Sequence, residues 1–471
     1  MEQFWSGRLK YVGLLLLAGG VLHLGYTVDR TEAGSLLLGW IPAFLGYSLA
    51  VSGEEYAGRK GRKIYWFLWA GILLRLALVF PFPLLSDDVY RFLWDGYLIV
   101  DGQNPFAELP GYYLEAGRSV PGLTPELYAN LNSPEYYTIY PPVAQAVFTA
   151  AVWLSPTSHA GAAILMKLFL FACELGTLWG LHRLLTSTRS PFATERSGIP
   201  VHHLLFYWLN PLVIVEITGN LHFEGAMVFF LVLALWLLVR SRWVAAGATF
   251  ALSVASKLLP LMLLPFLLRR FFSPRRGDLP QRFNVFLRFS LSLGLSLLLL
   301  FLPLLLSGFL DGFGSSLDLY FRKFEFNASL YYLAREVGYA VVGWNIIATL
   351  GPALAKTAAA GLLLFALLNR QDDWRSLPTL WLLAFTLYLL CATTVHPWYL
   401  SVPIVLSVFS RFRYALVWSA VIPLTYASYA TVPYVENLWL VGIEYAVVIG
   451  LLVYEIYKKP LRGIRTRGVN A

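Results

Sequence analysis

Apolar runs of membrane-spanning length recur from Tyr11 to Tyr457. In hydrocarbon every backbone amide must be satisfied from within the protein, so such runs fold as helices or as a closed barrel. A barrel would show short alternating segments, and the sequence lacks them. Only 13% of the 471 residues are charged and the mean hydropathy is +0.62, whereas a soluble domain carries roughly 25% charged residues. The sequence therefore predicts an all-α polytopic integral membrane protein, a single membrane domain over 1–471 with about 12–14 transmembrane helices.

The net charge of +9 does not point to a nucleic-acid partner, because the basic residues sit in short loops and tails between apolar runs. That is the distribution of cytoplasmic loops facing anionic lipid. Cys173 and Cys391 lie inside apolar runs and read as small packing residues. The first run lacks a small-residue cleavage site and a second follows closely, so it reads as an anchor.

The basic residues fix a sidedness. Arg8 and Lys10 precede the first run, and Arg59, Lys60, Arg62 and Lys63 follow the second. Arg183, Arg189 and Arg196, then Arg240 and Arg242, Arg269 to Arg276, Arg370 and Arg375, Arg411 and Arg413, and the tail Lys458 to Arg467 continue the pattern. Placing all of these in the cytoplasm puts both termini there. It makes 84–141 a first large extracytoplasmic loop and 308–344 a second, with 142–156 an interfacial or re-entrant helix. The segment 243–268 then reads as two half-length helices meeting at Lys257, since Ser256-Lys257 and Pro260 interrupt it.

Chemistry-bearing residues gather on the outer side, where ionisable groups near membrane depth are functional candidates. The leading cluster is Ser86-Asp87-Asp88-Val89-Tyr90-Arg91-Phe92-Leu93-Trp94-Asp95-Gly96. If helical, it sets Asp88, Arg91 and Asp95 on one face, with Asp87 and Asp88 at the N-terminus where the helix dipole favours anions. Two adjacent carboxylates can supply a general base for a hydroxyl and a partner for a cation; the other reading is an N-cap with a local Asp–Arg salt bridge. His222 and Glu224 share a tight turn that can orient a hydroxyl or hold a divalent metal, or be structural. Arg322, Lys323, Glu325, Asn327 and Arg335 can grip a phosphate or form a solvated interfacial helix. His396-Pro397-Trp398-Tyr399 can face a diphosphate or sugar, or belong to an interfacial aromatic belt. Lys257 can meet a lipid phosphate or snorkel to the interface.

In their order and outer placement these residues resemble the GT-C superfamily of membrane glycosyltransferases, which use a polyprenyl-phosphate sugar. Asp87-Asp88-Val89-Tyr90-Arg91-Phe92-Leu93-Trp94-Asp95-Gly96, with Gly102-Gln103-Asn104-Pro105-Phe106 after it, is similar to the first outer loop of bacterial mannosyltransferase-like members. Tyr140-Pro141-Pro142 is similar to the entry of the segment after that loop. Leu168-Phe169-Leu170-Phe171-Ala172-Cys173-Glu174-Leu175, followed by His182-Arg183-Leu184-Leu185, is similar to a helix of the eukaryotic members that add the first mannose to glycosylphosphatidylinositol. Asn210-Pro211, the His222–Gly225 turn, Phe326-Asn327-Ala328-Ser329-Leu330-Tyr331-Tyr332 and His396-Pro397-Trp398-Tyr399 complete the resemblance, which spans 64–410. It departs from the pattern in having two preceding helices, and Glu224 where some relatives carry Asp.

The resemblance implies an inverting transfer of a hexose, mannose by default, from a polyprenyl-phosphate donor to a hydroxyl of a glycolipid, glycan or protein. It places the active site at the outer face of a bacterial cytoplasmic (inner) membrane. Asp88 is then the base and Asp87 its competitor, with Tyr90, Arg91, Trp94, Asp95, His222, Glu224, Lys257, Arg322, Lys323, Asn327, His396, Trp398 and Tyr399 lining the substrates. The resemblance fixes no cofactor, and Glu224 leaves a divalent metal open. A transporter or flippase of lipid-linked glycans is the alternative. It predicts ionisable residues along a path through both leaflets, and the apolar runs show few beyond Lys257 and Glu174. A scaffold in a cell-envelope complex would not need the outer cluster.

Overall fold

The computed structural model describes residues 2–52, 64–306, 312, 314–316, 318, 322–431 and 435–458. The basic loop Arg59 to Lys63, the tail from Lys459 on, and parts of the expected 308–344 loop lie outside the described residues. Among the described residues, six helices are long and apolar enough to cross a membrane: Leu9–Tyr26, Ala33–Val51, His159–Thr186, Leu279–Leu306, Ile347–Leu368 and Leu438–Lys458. A seventh span is a pair, Val201–Trp208 and Pro211–Gly219, bent by 50°. The remaining apolar helices, such as Pro142–Leu154, Glu224–Val239, Trp243–Ser256 and Leu377–Cys391, have 10–17 residues. At 1.5 Å per residue these reach about 15–25 Å, short of a hydrocarbon core of about 30 Å. The expected figure of about 12–14 crossings is reached only by counting such helices as spans. The fold is thus an all-α membrane bundle in which long helices frame short ones.

The interruptions have local causes. Asn210 caps the second half of the bent pair, its side chain accepting from the amides of Leu212 and Val213 at 3.0 and 3.4 Å, with Pro211 in the first turn. Ile214–Gly219 then winds as a π-helical turn, a feature frequent at functional sites. Trp243–Ser256 stops where Lys257 becomes extended (φ −162°, ψ 138°), and a short 3-10 turn carrying Pro260 follows. The first two helices meet backbone to backbone, because a Cβ on Gly20 would stand 2.4 Å from the Gly39 carbonyl oxygen. Small residues allow that approach in a membrane.

The apolar runs hold more buried charge than their sequence suggests: Arg75, Lys167, Glu216, Glu444 and Glu455 join Glu174. Each has a hydrogen-bond partner close by in the bundle. Arg75 donates twice to Glu174 Oε2 (3.0 and 2.9 Å) and once each to the carbonyls of Trp208 (2.8 Å) and Gly71 (3.2 Å). Its guanidinium lies over the Trp208 ring, and Tyr207 donates to the other Glu174 oxygen at 2.6 Å. This cluster ties the Ile64–Leu78 helix to His159–Thr186 and to the bent span. Removing one partner of such a pair costs roughly 3–5 kcal/mol, whereas replacing both with apolar residues is often neutral. Arg75→Met should therefore lower the melting temperature in detergent sharply, and Arg75→Met/Glu174→Met should recover most of the loss. Equal melting of the two variants would contradict this.

Candidate active site

The Asp88–Val100 helix begins as the sequence predicts, but its charged face divides. Asp95 is fully buried, accepting from Arg91 at 2.9 Å and from Gln145 at 2.8 Å, while Arg91 also donates to the Tyr136 carbonyl. Trp94 is buried as well and packs against Tyr128. These three anchor the helix in the bundle. Asp87 and Asp88, at its N-terminus, remain half-open, 32% and 20% exposed. Asp87 is ion-paired with Arg30, from the turn between the first two helices, and not with Arg91. Tyr90 stands beside this pair and packs on Phe82.

Asp88 faces a different set. One of its oxygens accepts from Asn132 at 2.8 Å, and the other lies 3.8 Å from His222 Nδ1. The opposite ring nitrogen, Nε2, lies 3.3 Å from Glu216 Oε2. Glu216, fully buried on the π-helical turn, accepts from Tyr426 at 2.6 Å and from Asn220 at 3.3 Å. Asn220 reaches back to accept the Leu85 amide at 3.1 Å, tying this turn to the segment before Asp87. The turn itself is strained: Leu221, buried, has φ +69°, a conformation costly for a bulky residue and concentrated at functional sites. Leu221 and Phe223 fix it in the core, Phe223 packing edge-on to Phe92 and Phe148 beneath the Asp88 helix. An imidazole is thus held between a half-open carboxylate and a buried one.

The His396 segment completes the site. Phe326 exchanges backbone hydrogen bonds with Thr393 and Val395, at 3.0 and 2.8 Å, which joins the segment before Leu330 to it. The rings of His222, Trp398, His396 and Phe326 then stack in order, with centroids 3.7, 4.5 and 4.9 Å apart. Lys257, at the break in its segment, pairs with buried Glu224 and lies over the Tyr399 ring. An aromatic face bordered by carboxylates and cations suits a sugar carrying a phosphate.

Other expected residues stand apart from this cluster. Asn327 is buried, donating to Glu436 at 2.8 Å and to Glu444 at 3.2 Å, with φ +47°. Arg322 bonds Asp318 and the Ala348 carbonyl, and Lys323 is exposed. Arg335 pairs with Glu325 and Glu336. Sequence reasoning missed Arg30, Asn132, Glu216 and Tyr426. Glu216 alone carried a signal, a carboxylate inside the apolar run 201–219; the other three lie in polar loops or among aromatics and have none. Among the described residues no group of three or more His, Cys, Asp and Glu is arranged to hold a metal, and Glu224 has Lys257 as its ion-pair partner.

Burial pushes the His222 imidazole down to about 4 against the opposing pull of Asp88 and Glu224, and burial beside Lys257 and His222 lowers His396 to about 3. Both rings are therefore neutral at pH 7.

A family model described as alpha-(1->6)-mannopyranosyltransferase, N-terminal domain, matches residues 11–272. Alpha-(1->6)-mannopyranosyltransferase A of Corynebacterium glutamicum is 24% identical over 261 residues, which is 55% of this chain and 46% of that relative. The matched stretch is thus about half of the relative's length. Arg30, Asp87, Asp88, Glu216, His222, Glu224 and Lys257 all fall within 11–272, whereas Phe326 and His396 to Tyr399 fall beyond it.

An unfolded chain protonates histidine near 6.5 but the folded chain does not protonate His222 until about 4. Stability should hold above pH 6.5 and fall as pH drops from 6.5 toward 4, where the unfolded state binds more protons. Thermal unfolding measured across that window should fall less steeply for His222→Gln than for the wild type. The same pH slope in both would show that His222 is not held neutral by the fold.

Proposed function

The chain belongs to the alpha-(1->6)-mannopyranosyltransferase family, and from that premise we propose that it is an inverting membrane mannosyltransferase with Asp88 as its base. The donor is a polyprenyl-phosphate mannose and the acceptor a hydroxyl of a glycan or glycolipid, met on the extracytoplasmic face of a bacterial cytoplasmic membrane. An inverting transfer that yields an α-linkage requires a β-linked mannosyl phosphate.

The observation that carries this reading is the pairing of the carboxylates. Asp87 is held by Arg30, Asp95 by Arg91 and Glu224 by Lys257. Asp88 is the solvent-open carboxylate of the cluster with no arginine or lysine ion pair among the described residues. No fixed cation therefore competes with an acceptor hydroxyl for the Asp88 oxygens. Its Asn132 bond orients one oxygen and leaves the other toward His222 and the aromatic stack.

In the reaction the acceptor hydroxyl gives its proton to Asp88 as its oxygen attacks the anomeric carbon from the face opposite the phosphate. The carbon–oxygen bond to phosphate breaks, and the prenyl phosphate leaves with the electron pair. A phosphate needs no proton to leave, so cations suffice. Arg30 and Lys257 are the cations at the rim, each half-exposed and each ready to exchange part of its carboxylate contact for phosphate. Donor sugar already carried on lipid phosphate removes the need for a Gly-rich nucleotide loop.

Transfer from radiolabelled polyprenyl-phosphate mannose in membranes tests this. Asp88→Asn should lose about 10²–10⁴-fold in rate, the usual contribution of a general base, with its melting temperature unchanged. Asp87→Asn should lose less and should raise KM for the donor by loosening Arg30. Full transfer by a folded Asp88→Asn variant would remove Asp88 as the base.

A further inference from the structure

At the end of the bundle away from Asp88 there is a cavity of about 440 Å³ that the proposed reaction does not use. Two helices fix its place. Leu377–Cys391 has the cavity at its first turn, through Ser376, Thr379 and Leu380, and the His396 stack just beyond its last. Pro397–Ser407 runs back from that stack to Phe409 and Ser410, which also line the cavity.

The lining carries Arg375, Arg411, Arg413 and His203 and contains no aspartate or glutamate. The acidic groups on neighbouring segments, Glu195 apart, each hold other contacts, and of these Glu455 also acts on the Arg413 charge. Glu455 accepts the backbone amides of Arg413 and Tyr414 at 2.9 and 3.1 Å. Asp373 accepts the Ser376 amide at 3.0 Å, and Asp372 takes the Ser273 hydroxyl and pairs with Arg275. Glu195 is exposed on the turn before Gly198. Two of the three guanidinium groups have different anchors. Arg413 donates to the carbonyls of Ser410 (2.6 Å) and Ser407 (3.2 Å) and lies over Phe206. Arg375 donates through Nε to the Pro191 carbonyl at 3.0 Å, which fixes the guanidinium at the rim, and Arg411 is exposed. The first turn of a 15-residue helix on the same wall adds its dipole. Phe192, Ile199 and Phe409 supply an apolar side.

We infer that this cavity binds a phosphate-bearing anion, its charge met by Arg375, Arg411 and Arg413 and its apolar body by the phenylalanine wall. The same chemistry is offered by the headgroup of an anionic phospholipid and by a soluble phosphate, and the test separates them. Purified wild-type protein in zwitterionic nanodiscs doped with phosphatidylglycerol is compared by native mass spectrometry with Arg375→Gln/Arg411→Gln. A second double variant, Arg240→Gln/Arg242→Gln, removes equal charge at the same end of the bundle but outside the cavity. In parallel, binding of inorganic phosphate to the same proteins in detergent is measured by calorimetry.

At about 1 kcal/mol per basic residue near an anionic lipid surface, losing two cavity arginines should weaken binding about thirtyfold, while the control variant keeps wild-type binding. Retained phosphatidylglycerol, lost only in the cavity variant, identifies a lipid headgroup. Phosphate bound in detergent and lost in the same variant, without lipid retention, identifies a soluble phosphate. Wild-type binding by the cavity variant, or an equal loss in both variants, overturns the site.

Discussion

Glu216 lies fully buried in an apolar span, and its two oxygens have to be satisfied from within the protein. Tyr426 supplies one hydrogen bond and Asn220 another, and the His222 ring nitrogen comes within 3.3 Å. Meeting those demands brings the bent span against Tyr426 from the far end of the chain. It also draws the turn 220–223 under the Asp88 helix, with Leu221 held at a positive φ. The half-open carboxylates at the rim rest on this arrangement. Were Glu216 unsatisfied, the turn would have no reason to hold its strain, and His222 would lose its place between two carboxylates.

The same constraint works throughout the bundle and with different results. Where both partners are buried, as with Arg75 and Glu174, charge fixes one helix against another. Where one partner reaches the rim, as with Arg30 and Lys257, the pair stays partly open to solvent. The difference is exposure: about 30% for the rim cations and none for Arg75. A chain with so little charge concentrates it at a few places. Carboxylates gather around Asp88, and arginines gather around the cavity beneath Leu377.

Much of this was legible in the residues. The apolar runs announced an all-helical membrane bundle, and Asp88, His222, Glu224, Lys257 and His396-Pro397-Trp398 were each singled out and do meet, while Asp87 pairs with Arg30. Periodicity put Asp95 on one face with Asp88, but it could not tell that Gln145 and Arg91 close around Asp95 and remove it from the rim. The number of crossings was harder to read, since a 14-residue apolar helix inside a bundle looks like a short span. Arg30 and Tyr426 were illegible because their partners are distant in sequence: Asp87 is 57 residues from Arg30, and Glu216 is 210 from Tyr426. Pairings at that separation follow from helix packing, and no local pattern records them.

The central claim is that Asp88 opens to the extracytoplasmic side at the site where the lipid-linked sugar docks. The native cysteines, Cys173 and Cys391, are both buried, so a single Asp88→Cys substitution gives a clean reporter. A membrane-impermeant maleimide added to right-side-out vesicles should label that cysteine, and prior addition of polyprenyl-phosphate mannose should protect it. Labelling confined to inverted vesicles would place the cluster on the wrong face of the membrane and contradict the account.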